Sequence, residues 1–334
     1  MSTHSLLFLL VHLASSSFTA SVHHGNSTLQ AADASKLPLL GNNWNLNIGN
    51  LDPDIGNSDV WGTSISRDQL GRMALAADPS AGAGAGTGPV VQVTYPAGSW
   101  TPGSSNPGGT SFFAAILSPG AATAILSYEV FFAPNFDFNK GGKLPGLAGA
   151  DTRAALPGCQ GGMHSDACFS LRLMWRAHGA GEAYAYLPTR SSALCRTRSV
   201  YCNDDYGVSL SRGALRFQTG RWHAIQIMTQ MNTPGKDNGI LSVYVDGVQS
   251  IHYSNIQYTT AQSGQGVTSM FWSTFFGGAT QDWASPTNTY TMFKGINLAY
   301  QAQPAVQDSR SSRLGPQAPL VVLLIATLTC FSAV

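Results

Sequence analysis

A chain of 334 residues with 43% hydrophobic content can bury one large core or two modest ones. Only 10% of its residues are charged, against about 25% in an ordinary soluble domain, while 36 glycines and 17 prolines supply turns for short strands rather than long helices. The formal charge of +1, without any run of Lys and Arg, excludes a broad field for nucleic acid, so a polyanion has to be met at a small site.

Leu6 to Ala14 form an apolar run, followed by Ser15, Ser16, Ser17, Phe18, Thr19 and Ala20. This is the pattern of a signal peptide over residues 1–20 with a small-residue cleavage zone, although its start lacks Lys and Arg. Residues 21–40 are polar and aperiodic and read as a mobile leader. Asn26-Ser27-Thr28 is a sequon with Asn26 as the glycan acceptor. The core begins near Trp44, and one domain is expected over residues 41–300. The run Ala81 to Gly86 cannot bury side chains and is read as a loop. Strands are expected at Val90 to Tyr95, Phe112 to Leu117, Ala124 to Phe132, Phe169 to Arg176 and Ala183 to Leu187. Further ones follow at Ala214 to Gln218, His223 to Met231, Leu241 to Val245, Met270 to Phe276 and Tyr290 to Ala299. Helical periodicity is nearly absent, so the predicted fold is all-β, an antiparallel two-sheet sandwich.

Four of the five cysteines, Cys159, Cys168, Cys195 and Cys202, cluster in one stretch, which suits an oxidising compartment. Three pairings are possible, and the two local ones, Cys159 with Cys168 and Cys195 with Cys202, each close a short loop. Their C-x8-C and C-x6-C spacings are not those of structural zinc ligands, so neither a metal nor a cofactor is expected. Beyond residue 300, small residues around Ser309 and Ser311 precede a spacer through Pro319 and the apolar, uncharged tail Leu320 to Val334. Those fifteen residues fall short of the about 20 that span a bilayer, and no basic cluster follows them. Residues 301–334 therefore read as a linker and a GPI signal with Ser309 as the attachment point. The expected product is an extracellular, GPI-anchored monomer that touches membrane only through its anchor.

The segment from Gly220-Arg221-Trp222-His223 to Ile227, followed by Asn238-Gly239 and Val243-Tyr244-Val245-Asp246-Gly247, resembles a hairpin of lectin-like jelly rolls. Asn238-Gly239 and Asp246-Gly247 are tight-turn dipeptides. This resemblance implies a fold, and the same sandwich hosts both enzymes and pure binders.

Chemistry concentrates on one predicted hairpin. Alternation from Phe169 to Arg176 puts Ser170, Arg172, Met174 and Arg176 on one face and Phe169, Leu171, Leu173 and Trp175 on the other. After the turn His178 to Gly181, Glu182, Tyr184 and Tyr186 share a face. A hairpin centred about Gly179 would set Arg172 across from Tyr186 and Met174 across from Tyr184. A guanidinium and two phenols on one surface suit an acidic sugar. Arg can clamp its carboxylate, and Tyr or Lys can move protons when nearby positive charge lowers their pKa.

The run Phe131 to Leu147, containing Gly141-Gly142-Lys143-Leu144-Pro145-Gly146, then Cys168 to Arg176 and Gly181 to Tyr186, resembles polysaccharide lyase family 14. Ser273 to Gly278 matches a later block of that family, and the likeness covers about residues 120 to 300. It implies a jelly roll that cleaves glucuronan or alginate by β-elimination. The family's functional Lys, S-x-R and Y-x-Y fall on Lys143, Ser170, Arg172, Tyr184 and Tyr186. By that resemblance Arg172 and Lys143 neutralise the substrate carboxylate, Lys143 or a tyrosine is the base, and Tyr184 or Tyr186 is the acid. Ser170 is assigned to substrate hydrogen bonding. The loop after Lys143 departs from the family's usual pattern, which bears on subsite preference.

Two other functions use the same sandwich. A glycoside hydrolase needs two carboxyl groups about 5 to 9.5 Å apart, and the two glutamates, Glu129 and Glu182, fall on different predicted strands. A non-catalytic carbohydrate-binding surface protein would use the same Arg and Tyr face for affinity alone.

Overall fold

The computed structural model describes residues 37–46, 48, 58–63, 69, 72–80, 88–188, 192–260 and 266–303. Among these residues, fifteen strands form two antiparallel sheets, facing each other without closing into a barrel. The back sheet runs in the order β13 (Val248–Ile256), β12 (Gly239–Val245), β11 (Trp222–Gln230), β5 (Ala121–Phe132), β15 (Thr289–Ala302), β3 (Val90–Tyr95) and β2 (Met73–Ala76). The short β1 (Asn42–Asn45) also pairs with β15. The front sheet runs β4 (Thr110–Ala114), β14 (Ser269–Phe276), β6 (Gly141–Ala150), β7 (Cys168–Arg176), β8 (Ala180–Tyr186), β10 (Val208–Arg216) and β9 (Val200–Tyr201). The expected two-sheet jelly roll is present. Residues 1–36 with Asn26, the Ala-Gly run at 81–86 and the tail from residue 304 with Ser309 and Cys330 lie outside the described residues.

Aromatic packing between the sheets holds the front one in place. Trp175 of β7 is fully buried and meets Tyr95, Phe132, Phe136 and Phe276, with ring centroids 5.3 to 6.1 Å apart. Burying a side chain of this size stabilises by roughly 1.5–3 kcal/mol. The same alternation that sends Phe169, Leu171, Leu173 and Trp175 inward turns Arg172 and Met174 to the opposite face.

Strand β6 escaped the sequence pattern, because GGKLPGLAGA has the composition of a loop. It is nevertheless central in the front sheet and buried along its whole length. Its glycines make that placement possible. A Cβ on Gly142 would lie 2.0 Å from the Trp175 ring, and one on Gly146 would lie 2.0 Å from the Leu171 carbonyl. Pro145 sits where the register with β7 shifts, between Leu144 and Gly146, so its missing N–H costs no ladder bond. Lys143 therefore belongs to a rigid strand and not to a surface loop.

The two expected turns fare differently. Asp246 and Gly247 both take positive φ, at 52° and 81°, and close the β12–β13 hairpin. Asn238-Gly239 instead ends a longer β11–β12 loop, in which the Asn238 side chain accepts from Thr233 N at 2.8 Å. The two local disulfides, Cys159–Cys168 and Cys195–Cys202, are formed. Among the described residues no helix is long and apolar enough to cross a membrane.

Candidate active site

The outward face of the front sheet is the floor of a cleft of about 1010 Å³. Four walls rise around it: the β3–β4 segment Thr101 to Gly103, the loop between Cys159 and Cys168, the loop around Cys202, and the segment after β14 that carries Trp283. The last wall is tied down by Asn139, whose side-chain amide donates to Ala284 O at 2.8 Å and Asp282 O at 3.1 Å. A Lys140–Asp282 ion pair holds it on the exposed side.

Strand register explains which groups meet. One row across the sheet reads Phe275, Lys143, Met174, Glu182, and the next reads Arg172, Tyr184, Ser209, Tyr201. Tyr186 lies opposite Ser170. Arg172 thus faces Tyr184, and Met174 faces Glu182, two residues away from the register expected from a turn about Gly179. The turn is centred one residue earlier, on His178, which adopts φ 59° beside Gly179 at φ 72°. An even shift preserves the faces, so the cation and the phenols still share one surface.

Lys143, Arg172, Tyr184 and Tyr186 all line the cleft, and each is no more than 9% exposed. Lys143 Nζ donates to the Met174 sulfur at 2.9 Å and lies 4.4 Å from the centre of the Tyr184 ring. Burial is the main force holding its pKa well below the ordinary lysine value, with repulsion from Arg172 and Arg176 adding to it and Glu182 opposing it. Arg172 stacks 4.4 Å over Phe271 and donates to the Ser273 hydroxyl at 3.1 Å, while its Nε has no partner. Burial lowers its pKa to about 10, partly offset by the two phenols. Among the described residues neither Lys143 nor Arg172 is ion-paired with a carboxylate.

Backbone amides hold both phenols. Gly207 N donates to the Tyr184 hydroxyl at 3.0 Å, and Gly162 N to that of Tyr186, also at 3.0 Å. Burial raises the Tyr184 pKa, and the neighbouring Tyr186 adds to the effect, so this phenol keeps its proton. Ser170 is placed differently from its expected role. Its hydroxyl is fully buried, donates to Cys159 O at 2.5 Å and does not line the cleft. The Cys159–Cys168 loop covers it, leaving it to anchor that loop against β7.

A second charged group adjoins these residues, and the sequence showed only part of it. Glu182 is fully buried and accepts from Arg176 Nε at 2.9 Å, Arg212 Nε at 2.9 Å and Ser209 Oγ at 2.5 Å. Arg176 and Arg212 both reach the cleft, so three guanidiniums and Lys143 line it, and among the described residues no Asp or Glu does. Alternation already put Arg176 and Glu182 on this face, but Arg212 comes from β10 beyond a register shift that no sequence period reveals. The other glutamate, Glu129, lies on β5 of the back sheet. Among the described residues, the carboxyl pair a hydrolase needs is therefore not found in this cleft. Among the described residues no group of three His, Cys, Asp or Glu could hold a metal ion.

Comparison with known proteins gives a consistent frame. The family model described as polysaccharide lyase 14 matches residues 84–296, which include every cleft strand. A solved marine PL-14 alginate lyase from Aplysia kurodai is 32% identical, covers 70% of this chain and 88% of its own, and superposes with a TM-score of 0.60. A solved alginate lyase from Chlorella virus shares the fold at 24% identity and a TM-score of 0.56, over 69% of this chain and 89% of that one. Exolysin of Paramecium bursaria Chlorella virus 1 is 26% identical over 202 residues, or 53% of this chain. That match spans 29% of Exolysin's own length.

Proposed function

The chain belongs to polysaccharide lyase family 14, and from that premise we propose that it cleaves a uronate-containing polysaccharide, of the alginate or glucuronan type, by β-elimination. The observation that carries this reading is the pairing of a buried guanidinium that lacks a carboxylate partner with a lysine whose pKa is held low, on a floor where the Glu182 carboxylate is buried and already paired with Arg176 and Arg212. A buried cation is costly unless compensated, and a substrate carboxylate supplies the compensation.

The proposed reaction divides as follows. Arg172 binds the C5 carboxylate and stabilises the charge that develops on it. Neutral Lys143 takes the C5 proton, the released electron pair forms the C4=C5 double bond, and the C4–O4 bond breaks. Tyr184, still protonated, gives its proton to the departing O4. The Gly207 amide steadies the phenolate that Tyr184 becomes. Arg176 and Arg212, pinned by Glu182, supply positive potential for flanking uronates.

The test is to incubate the protein with alginate, glucuronan and a neutral β-glucan while following the ultraviolet absorbance of the unsaturated uronate. A rise on a uronan and none on the neutral polymer is expected, whereas a flat trace on both uronans contradicts the reading. Tyr184→Phe is expected to lower kcat about 10²-fold without changing the far-ultraviolet dichroism. Unchanged turnover would move the acid elsewhere.

We also propose export to the cell exterior, with the apolar stretch at 1–20 as signal and Ser309 as the site of a GPI anchor. Support comes from the two disulfides and from the composition of both ends. Release of the cell-surface protein by a phosphatidylinositol-specific phospholipase is the check, and retention after treatment would overturn the anchor.

A further inference from the structure

Five large hydrophobic side chains are exposed among the described residues, and three of them, Met163, Tyr201 and Tyr206, stand on the cleft wall beside the two disulfides. Tyr201 is 63% exposed, Met163 52% and Tyr206 44%. Apolar groups left open in a groove mark a place where a ligand covers them. The wall is firmly held: Ser170 and the Cys159–Cys168 bridge fix one loop, and the Cys195–Cys202 bridge fixes the base of the other. The Asn203 side chain accepts from the Asp205 and Tyr206 amides at 2.8 and 3.0 Å, closing the turn that presents Tyr206. The loops abut, since a Cβ on Gly162 would lie 2.9 Å from Asp205 O.

Resting on the elimination reading above, we propose that Tyr201 and Tyr206, with Met163, form a distal subsite that stacks on a uronate ring of the same polymer, away from the bond being cut. The occupant follows from two features. A pyranose ring presents C–H groups on its face, which an exposed phenol ring covers at little entropic cost when the ring is already fixed. The cleft leading to these rings is lined by three guanidiniums beside Lys143 and, among the described residues, by no acid, so a uronate chain enters in preference to a neutral one. Strand register gives the reach. Tyr201 is two strands from Tyr184 and three from Arg172, roughly 10 and 14 Å at the usual strand spacing. A chain must therefore extend about two or three sugar units past the reacting uronate to gain this contact.

The experiment compares kcat/KM on uronate oligosaccharides of increasing length for the parent, for Tyr201→Ala/Tyr206→Ala and for Tyr201→Phe/Tyr206→Phe. For the parent a step upward is expected once the chain reaches the subsite. The alanine pair is expected to lose that step, about tenfold in kcat/KM on long chains, and the phenylalanine pair to keep it. A second arm titrates a long oligosaccharide into the same pairs built on Lys143→Met by calorimetry, which reads binding without turnover. There, about tenfold weaker binding for the alanine pair alone supports the subsite. An alanine pair that keeps the length step or binds like the parent overturns it, as does a phenylalanine pair that fails equally. Absence of unsaturated product from the parent would instead count against the elimination reading, and the calorimetric arm would still decide the subsite.

Discussion

Lys143→Met is expected to lower turnover by about 10³-fold or more while raising the melting temperature by a few degrees. The first half follows from the base role: without Nζ no group at that point of the row takes the C5 proton, and a positioned base contributes about 10²–10⁴-fold. The second half follows from burial. Lys143 sits in a fully buried strand with a sulfur as its hydrogen-bond partner and Arg172 and Arg176 repelling its charge. Methionine has similar length and no charge to desolvate. A gain of about 1 kcal/mol would move the midpoint of a domain this size by ~2–4 °C. Stability gained as activity is lost is the signature of a residue kept for function. The same lysine sets the pH profile. A base must be unprotonated, so kcat/KM should rise with pH through the lowered Lys143 pKa, well short of the ordinary lysine range. A rate that is flat across the acid limb, or a variant that keeps turnover, would remove Lys143 from the base role.

Arg172→Met is the second large effect, with kcat/KM falling about 10³-fold and kcat carrying most of the loss. Charge on the carboxylate grows as the C5 proton leaves, so the guanidinium matters more in the transition state than in the bound substrate. Arg172→Lys should recover little. A lysine cannot present the planar fork, stack on Phe271 and reach Ser273 at once. Neither substitution should unfold the protein, because Arg172 forms no ion pair whose loss would strand a buried carboxylate. If instead KM rose by the full factor with kcat unchanged, Arg172 would serve affinity alone, as in a binding module.

Much of this site was readable in advance for physical reasons. Strands β7 and β8 are buried almost throughout, yet β7 alternates large apolar with polar residues and β8 alternates Gly and Ala with Glu and Tyr, so the face shared by Arg172, Tyr184 and Tyr186 follows from period two. Local cysteine spacing suited short disulfide loops, and both formed. What stayed hidden depends on contacts distant in sequence. β6 reads as a loop until Trp175 and Leu171 are seen lying against its glycines. The register of the Arg and Tyr rows turned on a positive φ at His178, a residue with no glycine-like signature. Ser170 shares the strand face of Arg172, but a loop closed by its neighbour Cys168 takes its hydroxyl. Arg212, Tyr201 and Tyr206 reach the cleft only because β9 and β10 extend the sheet beyond β8.

The central claim is elimination at a uronate, and the fate of water tests it most directly. The protein should be allowed to digest alginate or glucuronan in heavy-oxygen water, with the new chain ends analysed by mass spectrometry. Elimination predicts unsaturated ends, each one water lighter than a hydrolytic end, with no heavy oxygen incorporated during cleavage. Saturated non-reducing ends, with one heavy oxygen gained per cut, would contradict the account.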